Sequence, residues 1–377
     1  MNQQTIEVVA YYFPNYHVDR RNAQVHGPGW TEWELVKAAR PRFPGHMQPR
    51  VPLWGYEDEA DPAVFARKID AAADHGISAF LFDWYYYNDG PFLQRGLDEG
   101  YLRAHNNPRL KFALMWANHD WIDIHPARHD VKPALLYPGA ITAETWERMT
   151  DTIVERYFTH PSYWKINDCP YFSIYEMYRL MDGLGGAAAT QQAIASFRAK
   201  TRAAGFRDLH LNAVVWGVQV LPSEKVITNP QQMMDAVGAD SVSSYVWIHH
   251  VPMSSFPTTP YATVFEAARR NWVELAQQFR VPYFPNVTMG WDASPRTWQD
   301  GPFDNFGYPY TPGLSDNTPG AFKAALLAAR EFLMQRPAGQ RVLSLNAWNE
   351  WTEGSYLEPD TVNGMGYLEA IREVFGA

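Results

Sequence analysis

Two glutamates stand three residues apart near the end of the sequence, Glu350 and Glu353, between the indoles of Trp348 and Trp351. They belong to the stretch Asn346-Ala-Trp-Asn-Glu-Trp-Thr-Glu-Gly-Ser-Tyr-Leu-Glu-Pro-Asp360. Paired carboxyls of this kind suit acid–base chemistry on an uncharged polar substrate, one giving a proton and the other taking one. The indole faces can stack on a sugar ring, and they lower the local dielectric, which raises a neighbouring carboxyl's pKa. The same pattern also fits a surface cap at Glu350 with both tryptophans in a core.

An alternation running the length of the chain would position the pair. Strand-like apolar runs recur at Ile6–Tyr12, Ser78–Asp83, Phe112–Trp116, Tyr171–Ile174, Leu209–Val215, Ser241–Val246, Tyr283–Thr288 and Val342–Ala347. Helical patterns lie between them. One starts at Asp61-Pro62, carries Phe65, Ile69 and Ala72 on one face and stops at Gly76. Leu93, Leu97 and Tyr101 suggest a weaker one, interrupted by glycines. Trp146, Met149, Ile153 and Tyr157 mark a third, and Ile194, Phe197 and Thr201 a fourth that Gly205 stops. Asn229-Pro230 opens a short helix ending near Gly238; Phe265, Ala268, Trp272 and Phe279 mark the next, and Phe322, Leu326 and Leu333 the last. Eight continuous apolar strands, each separated from the next by a helical pattern, point to a parallel (β/α)8 TIM barrel with elaborated βα loops rather than a doubly wound sheet. Residues 1–377 read as a single domain, with no Pro-, Gly- or Ser-rich linker to divide them. The stretch between the first strand and Asp61 is too long for an ordinary connection and is expected to be functional or packed across one face.

Reactive groups of such barrels gather at the C-terminal strand ends. Tyr11, Tyr12, Asn15 and His17 follow the first strand, and Asp83, Trp84, Tyr85, Tyr86, Tyr87 and Asn88 the second. Trp116, Asn118, His119, Asp120 and Trp121 follow the third, Tyr175 and Glu176 the fourth, and Trp216 the fifth. Tyr245, Trp247, His249 and His250 follow the sixth, and Trp291, Asp292 and Arg296 the seventh. Core packing does not predict this bias of polar and aromatic residues toward one end of every strand. A carbohydrate cleft does. From these ends we select Tyr11, Tyr12, His17, Trp84, Trp116, Asn118, Tyr245, Trp291, Asp292, Asn349 and Trp351 as candidate substrate-binding residues, and Glu350 and Glu353 as the catalytic pair. Asp292 is also placed to pair with Arg296 in a structural ion pair, and Glu358-Pro359 reads as a cap for the last helix.

Composition excludes other classes. The formal net charge is -9 with no basic patch, which argues against nucleic acid and anionic membranes as partners. No apolar run reaches membrane-spanning length, and the N-terminus lacks the pattern of a signal peptide, so the chain reads as cytoplasmic. The one cysteine, Cys169, reads as a buried structural thiol. His119, Asp120, Asp123, His125 and His129 resemble a metal cluster in composition but not in spacing, so no metal or other cofactor is expected. Phosphate-cradling glycine motifs and a Gly-x-Ser-x-Gly elbow are absent from the sequence.

Several motifs in order carry a resemblance: Tyr11-Tyr-Phe-Pro-Asn-Tyr-His17, Gly29-Trp-Thr-Glu-Trp33, Gly45-His-Met-Gln-Pro49, Trp116-Ala-Asn118, Gly290-Trp-Asp-Ala-Ser-Pro-Arg296 and Ala347 to Asp360. Together they resemble the WbsX-like proteins, relatives of the family 99 glycoside hydrolases, the endo-α-mannosidases. In that family a motif of the form Asn-Glu-Trp-x-Glu-Gly carries both catalytic carboxylates, and it matches Asn349, Glu350, Trp351, Glu353 and Gly354. The resemblance implies retention of configuration through a 1,2-anhydro sugar. Glu350 would deprotonate the substrate's own 2-hydroxyl, which attacks the anomeric carbon, and Glu353 would protonate the leaving oxygen and then activate water. Such a route needs Glu350 ionised and Glu353 protonated before reaction. WbsX-like proteins are also found in polysaccharide gene clusters and labelled glycosyltransferases. The expected activity is therefore hydrolysis of a bacterial poly- or oligosaccharide, the alternatives being a surface-polysaccharide glycosyltransferase and a non-catalytic sugar-binding protein.

Overall fold

The computed structural model describes residues 6–222, 224–226 and 228–376. Its main sheet contains parallel strands β1 (Glu7–Tyr12), β2 (Ala79–Tyr87), β3 (Lys111–Trp116), β4 (Cys169–Ile174), β5 (His210–Val214), β6 (Ser241–Ser243), β7 and β8 (Val342–Asn346). β7 comes in two pieces, Tyr283–Phe284 and Asn286–Thr288. The first pairs with β6 and the second with β8, which pairs in turn with β1. Nine parallel segments thus form a nearly closed ring. Pro285, which has no N–H for a ladder, is what separates the two pieces. Counted across it, the strands are the eight of a (β/α)8 barrel.

Local punctuation sets the helices as expected. Asp61 accepts from the Ala63 N–H and Pro62 opens the first turn of Pro62–Asp74, whose Phe65, Ile69 and Ala72 are buried. Pro230–Val237 stops at Gly238, where φ is +68°. Helices Ala187–Ala203 and Pro319–Met334 bury the predicted faces, whereas Tyr261–Gln278 buries Ala268 and Trp272 but leaves Phe265 half-buried and ends before Phe279. The stretch around Leu97 differs. It is a single wide π-type turn, Gly96–Tyr101. Gly100 serves packing there, since a Cβ would run into the Glu59 carbonyl and the Phe65 ring. The helix carrying Trp146 likewise continues beyond Thr152 as π-type turns, Ile153–Phe158. β2 runs past Asp83 to Tyr87, and β6 stops at Ser243, short of Val246. Cys169 opens β4 half-buried, not fully buried as expected.

The long segment after β1 folds into two short helices, Arg20–His26 and Trp33–Ala38. It packs against the loop that follows β8: the Trp33 ring lies 4.1 Å from Tyr16 and 5.9 Å from Trp351. Among the described residues no helix is long and apolar enough to cross a membrane.

Candidate active site

β8 ends at the catalytic candidates. Asn349–Glu350 pairs antiparallel with Ser355–Tyr356, and Trp351–Glu353 forms one 3₁₀ turn between them. With three residues per turn, side chains at i and i+3 eclipse, so Glu350 and Glu353 emerge on the same side. Gly354 closes the turn at φ +64°, where a Cβ would sit 2.7 Å from that of Asp292. Only glycine combines that backbone with that approach.

Beneath the turn lies a buried polar frame. The indoles of Trp348 and Trp351 donate to Glu358 at 2.9 and 2.7 Å. Lys68, from helix Pro62–Asp74, meets Glu358 at 2.7 Å and Glu59 at 3.0 Å. Glu59 also accepts from Tyr12 and from Asn349, each at 2.7 Å. Asn349 closes the frame by bonding both the N–H and the carbonyl of Phe13. Burial alone would favour neutral Lys68, but Glu358 and Glu59 hold its pKa above the ordinary lysine value. Glu358 is therefore not the helix cap that the sequence suggested. The last helix begins only at Gly366.

Glu350 and Glu353 face a cavity at the C-terminal end of the barrel together with Asp83, Tyr245, Trp291 and Arg296. A second cavity beyond Trp291 is larger, about 370 Å³ against about 70 Å³, and is lined by Asp292 and Asp316, while Glu350 and Glu353 both face the first. Of the selected residues, the structure brings Glu350, Glu353, Tyr245 and Trp291 together there.

The others lie elsewhere. Trp84 and Trp116 pair in register, as do Asp83 and Met115 one residue earlier. Strand alternation sends the first pair away from the cavity and the second toward it. The Trp84 ring lies 5.9 Å from Tyr157, and Trp116 donates to the Tyr86 carbonyl and packs on Trp146. Tyr11 donates to the Ser244 carbonyl, and its ring supports Tyr245 at 4.6 Å. Tyr12, Asn349 and Trp351 belong to the frame, with Trp351 stacked on Tyr356 at 3.8 Å. Asn118 ties β3 to β4 by bonding both backbone groups of Glu176. His17 is buried with neither ring nitrogen partnered, and burial, then Arg95, lowers its pKa to about 3. Asp292 lines the second cavity. It pairs with His46 at 2.8 Å and Gln48 at 2.7 Å, not with Arg296. Burial alone would raise its pKa, but these donors hold it at about 2.

Arg296 instead centres the acid cluster. Its Nη1 donates to Glu353 at 2.5 Å, its Nη2 to Glu350 at 3.3 Å and its Nε to Glu32 at 2.8 Å. Tyr308 donates to the same Glu353 oxygen at 2.6 Å. Burial, then the charge of Glu353, pushes Glu350 well above the usual carboxylate range. Burial raises Glu353 as well, while Arg296 and the Tyr308 hydroxyl restrain the rise. Burial would also raise Glu32, but Arg296, His125 and Thr352 bring it below its ordinary value. Glu32 lies in the Gly29–Trp33 motif, and no local pattern gave it a role. Asp83, Tyr85, Tyr175 and His249 all line the cavity. They stood among the strand-end residues and could have been selected by taking the alternate parity of each strand.

Near the cavity, Glu176 is fully buried and neither carboxyl oxygen has a hydrogen bond. Burial raises it to about 8, with Arg179 at 3.7 Å opposing. Of the histidines weighed as metal ligands, His125 lines the cavity and His129 stacks on Phe306 at 4.4 Å. Among the described residues no group of three or more His, Cys, Asp or Glu is placed to hold a metal.

Comparison with known proteins bears on this arrangement. A family model described as glycosyltransferase WbsX matches residues 8–371. The chain belongs to the WbsX family. A relative, the uncharacterised protein WxcX of Xanthomonas campestris pv. campestris, is 28% identical over 97% of this chain and 49% of its own. The chain spans about half the length of the curated relatives it matches. The WbsX barrel superimposes on the GH99 endo-α-mannosidase of Bacteroides thetaiotaomicron with a TM-score of 0.60 at 15% identity, covering 97% of this chain and 95% of that one. A structure described as a glycoside hydrolase-like protein gives 0.62, also at 15% identity, over 99% and 95%. These likenesses show a shared fold.

Proposed function

We propose that this WbsX protein is a retaining glycoside hydrolase acting on a bacterial poly- or oligosaccharide, with the substrate 2-hydroxyl as internal nucleophile. One observation carries the reading. Two buried glutamates emerge side by side from one 3₁₀ turn at the end of β8, facing an aromatic cavity and sharing one guanidinium. A neutral sugar suits such a cavity, since Trp291 and Tyr245 offer ring faces beside the acids. An internal nucleophile is already positioned on the substrate, so little orientational entropy remains to be lost.

In this reading Glu350 must first give up the proton that its burial favours; it then takes the 2-hydroxyl proton as O2 attacks the anomeric carbon and the bond to the leaving oxygen breaks. Glu353 gives its proton to that oxygen. In the second half Glu353 takes a proton from water as it opens the anhydro ring, and Glu350 returns its proton to O2. Arg296 sits beside both carboxyls and balances their charge through the two steps. Screening glycans with a free 2-hydroxyl, and reading the anomer of the first product by NMR, tests the proposal. Retention and full activity after chelation are expected; an inverted first product would overturn the anhydro route.

The family description favours a second reading, a glycosyltransferase of surface-polysaccharide assembly. That reading requires an activated donor and predicts no release of reducing sugar from a glycan alone. A sugar-binding protein would tolerate Glu350→Gln without functional loss.

A further inference from the structure

Tyr245 has one hydroxyl proton and two carboxyl neighbours. Its Oη lies 2.9 Å from Asp83 Oδ2 and 3.4 Å from Glu350 Oε1. Both acids are buried, at 2% and 3% exposure, and both line the cavity. A phenol donates one hydrogen bond, so its second carboxyl contact is favourable only when that acid is protonated and donates in return. A single carboxyl proton satisfies all three groups in either of two ways. Glu350 can donate to Tyr245 while Tyr245 donates to ionised Asp83, or Asp83 can donate to Tyr245 while Tyr245 donates to ionised Glu350.

We propose that Asp83 is the proton store of Glu350, joined to it through the Tyr245 hydroxyl. The inference rests on the hydrolase reading, in which Glu350 must be ionised to accept the 2-hydroxyl proton. The Glu350 proton passes to Tyr245 Oη as the phenolic proton passes to Asp83 Oδ2. Two O–H bonds break and two form, and the trio keeps its net charge. Glu350 becomes a carboxylate without releasing a proton to solvent. Its new charge also repels charge on Glu353 and so favours the protonated form that the leaving oxygen needs. Asp83 Oδ1 has no protein partner among the described residues, so the store also presents an unsatisfied oxygen in the cavity wall. Asp83 is thus a positioning residue for a proton.

Burial pushes Asp83, like Glu350, well above the usual carboxylate range, and His119, His125 and His249 also line the cavity. Around the two acids stand Tyr11, Tyr16, Tyr85 and Tyr245, all pushed above the ordinary phenol range by burial and hence neutral. Glu32 is held ionised and Arg296 charged. Tyr308 hydrogen-bonds Glu353, and Glu353 is the remaining acid that titrates with the pair.

Infrared titration of the intact protein, with aspartate and glutamate carboxyls isotopically labelled in turn, tests the store without substrate. Wild-type protein should show Asp83 and Glu350 carbonyl bands, identified by their loss in Asp83→Asn and Glu350→Gln, rising and falling at the same pH. Tyr245→Phe should separate them. On any glycan that is turned over, Tyr245→Phe and Asp83→Leu should each move the acidic limb of kcat upward by about one pH unit. Asp83→Asn, whose amide can donate to Tyr245 as a filled store does, should leave that limb in place. Thermal melting establishes that each variant is folded, and Tyr245→Phe stands alone if Asp83→Leu is not. Bands that titrate separately in the wild type, or an acidic limb unmoved in Tyr245→Phe, would overturn the store. Absence of any hydrolysed glycan would count against the hydrolase reading and leave the infrared result to decide the proton sharing.

Discussion

Arg296 Nη1 reaches Glu353 Oε1 at 2.5 Å, inside a barrel end where the arginine itself is only 5% exposed. A buried guanidinium is stable there because its carboxylate partners replace the water it lost. Replacing Arg296 by Met would leave Glu32, Glu350 and Glu353 without that cation. Protonation of all three at neutral pH and a fall in kcat/KM of at least about 100-fold are expected. Arg296→Lys keeps the charge but not the planar fork that spans the acids, so it should recover only part of the activity. Steady-state kinetics with thermal melts of both variants checks this.

Glu350→Gln and Glu353→Gln should each lower kcat by about 10²–10⁴-fold, the usual worth of a positioned acid or base. Isothermal titration with a glycan substrate should show affinity within a few-fold of wild type. Loss of binding together with turnover would mean that the pair shapes the cavity and does no proton transfer.

Lys68→Met leaves Glu59 and Glu358 buried without their cation. Breaking a buried ion cluster in this way typically costs about 3–5 kcal/mol, which urea unfolding would measure. Activity should fall too, because Glu59 and Glu358 hold Asn349, Trp348 and Trp351 around the turn that carries Glu350 and Glu353.

Glu176 provides a pH test of stability. Its folded pKa of about 8 exceeds the ordinary value of 4.5. The folded state therefore binds this proton more tightly than the unfolded state. Stability from this group is fully present below the unfolded value and declines as pH rises toward about 8. Glu176→Gln removes the decline. Its melting temperature should match wild type near pH 4 and exceed it by roughly 2–4 °C or more above pH 8. A difference that stays constant with pH would show that the Glu176 carboxyl is not raised.

The barrel was legible because strands and helices have different periods, and caps such as Asp61-Pro62 mark where one yields to the other. The paired glutamates were legible because both lie within one short motif. Parity was harder to read. A strand buried on both faces carries no polar alternation, and a choice one residue out sends every side chain to the opposite face. That is how Trp84 and Trp116 were chosen where Asp83 and Met115 face the cavity. Glu32, Glu59 and Lys68 were beyond reach for another reason. Each acts on partners hundreds of positions away in sequence, as Glu59 does on Asn349 and Glu32 on Arg296.

The segment after β1 has a consequence for how the site comes into being. Glu32 lies before β2 and Glu350 after β8, yet one guanidinium spans both. A chain that ends between Arg296 and β8 offers that guanidinium only one of its three acids. The acid cluster therefore assembles as the ring shuts, and barrels cut back at either side should yield inactive protein even where most helices have formed.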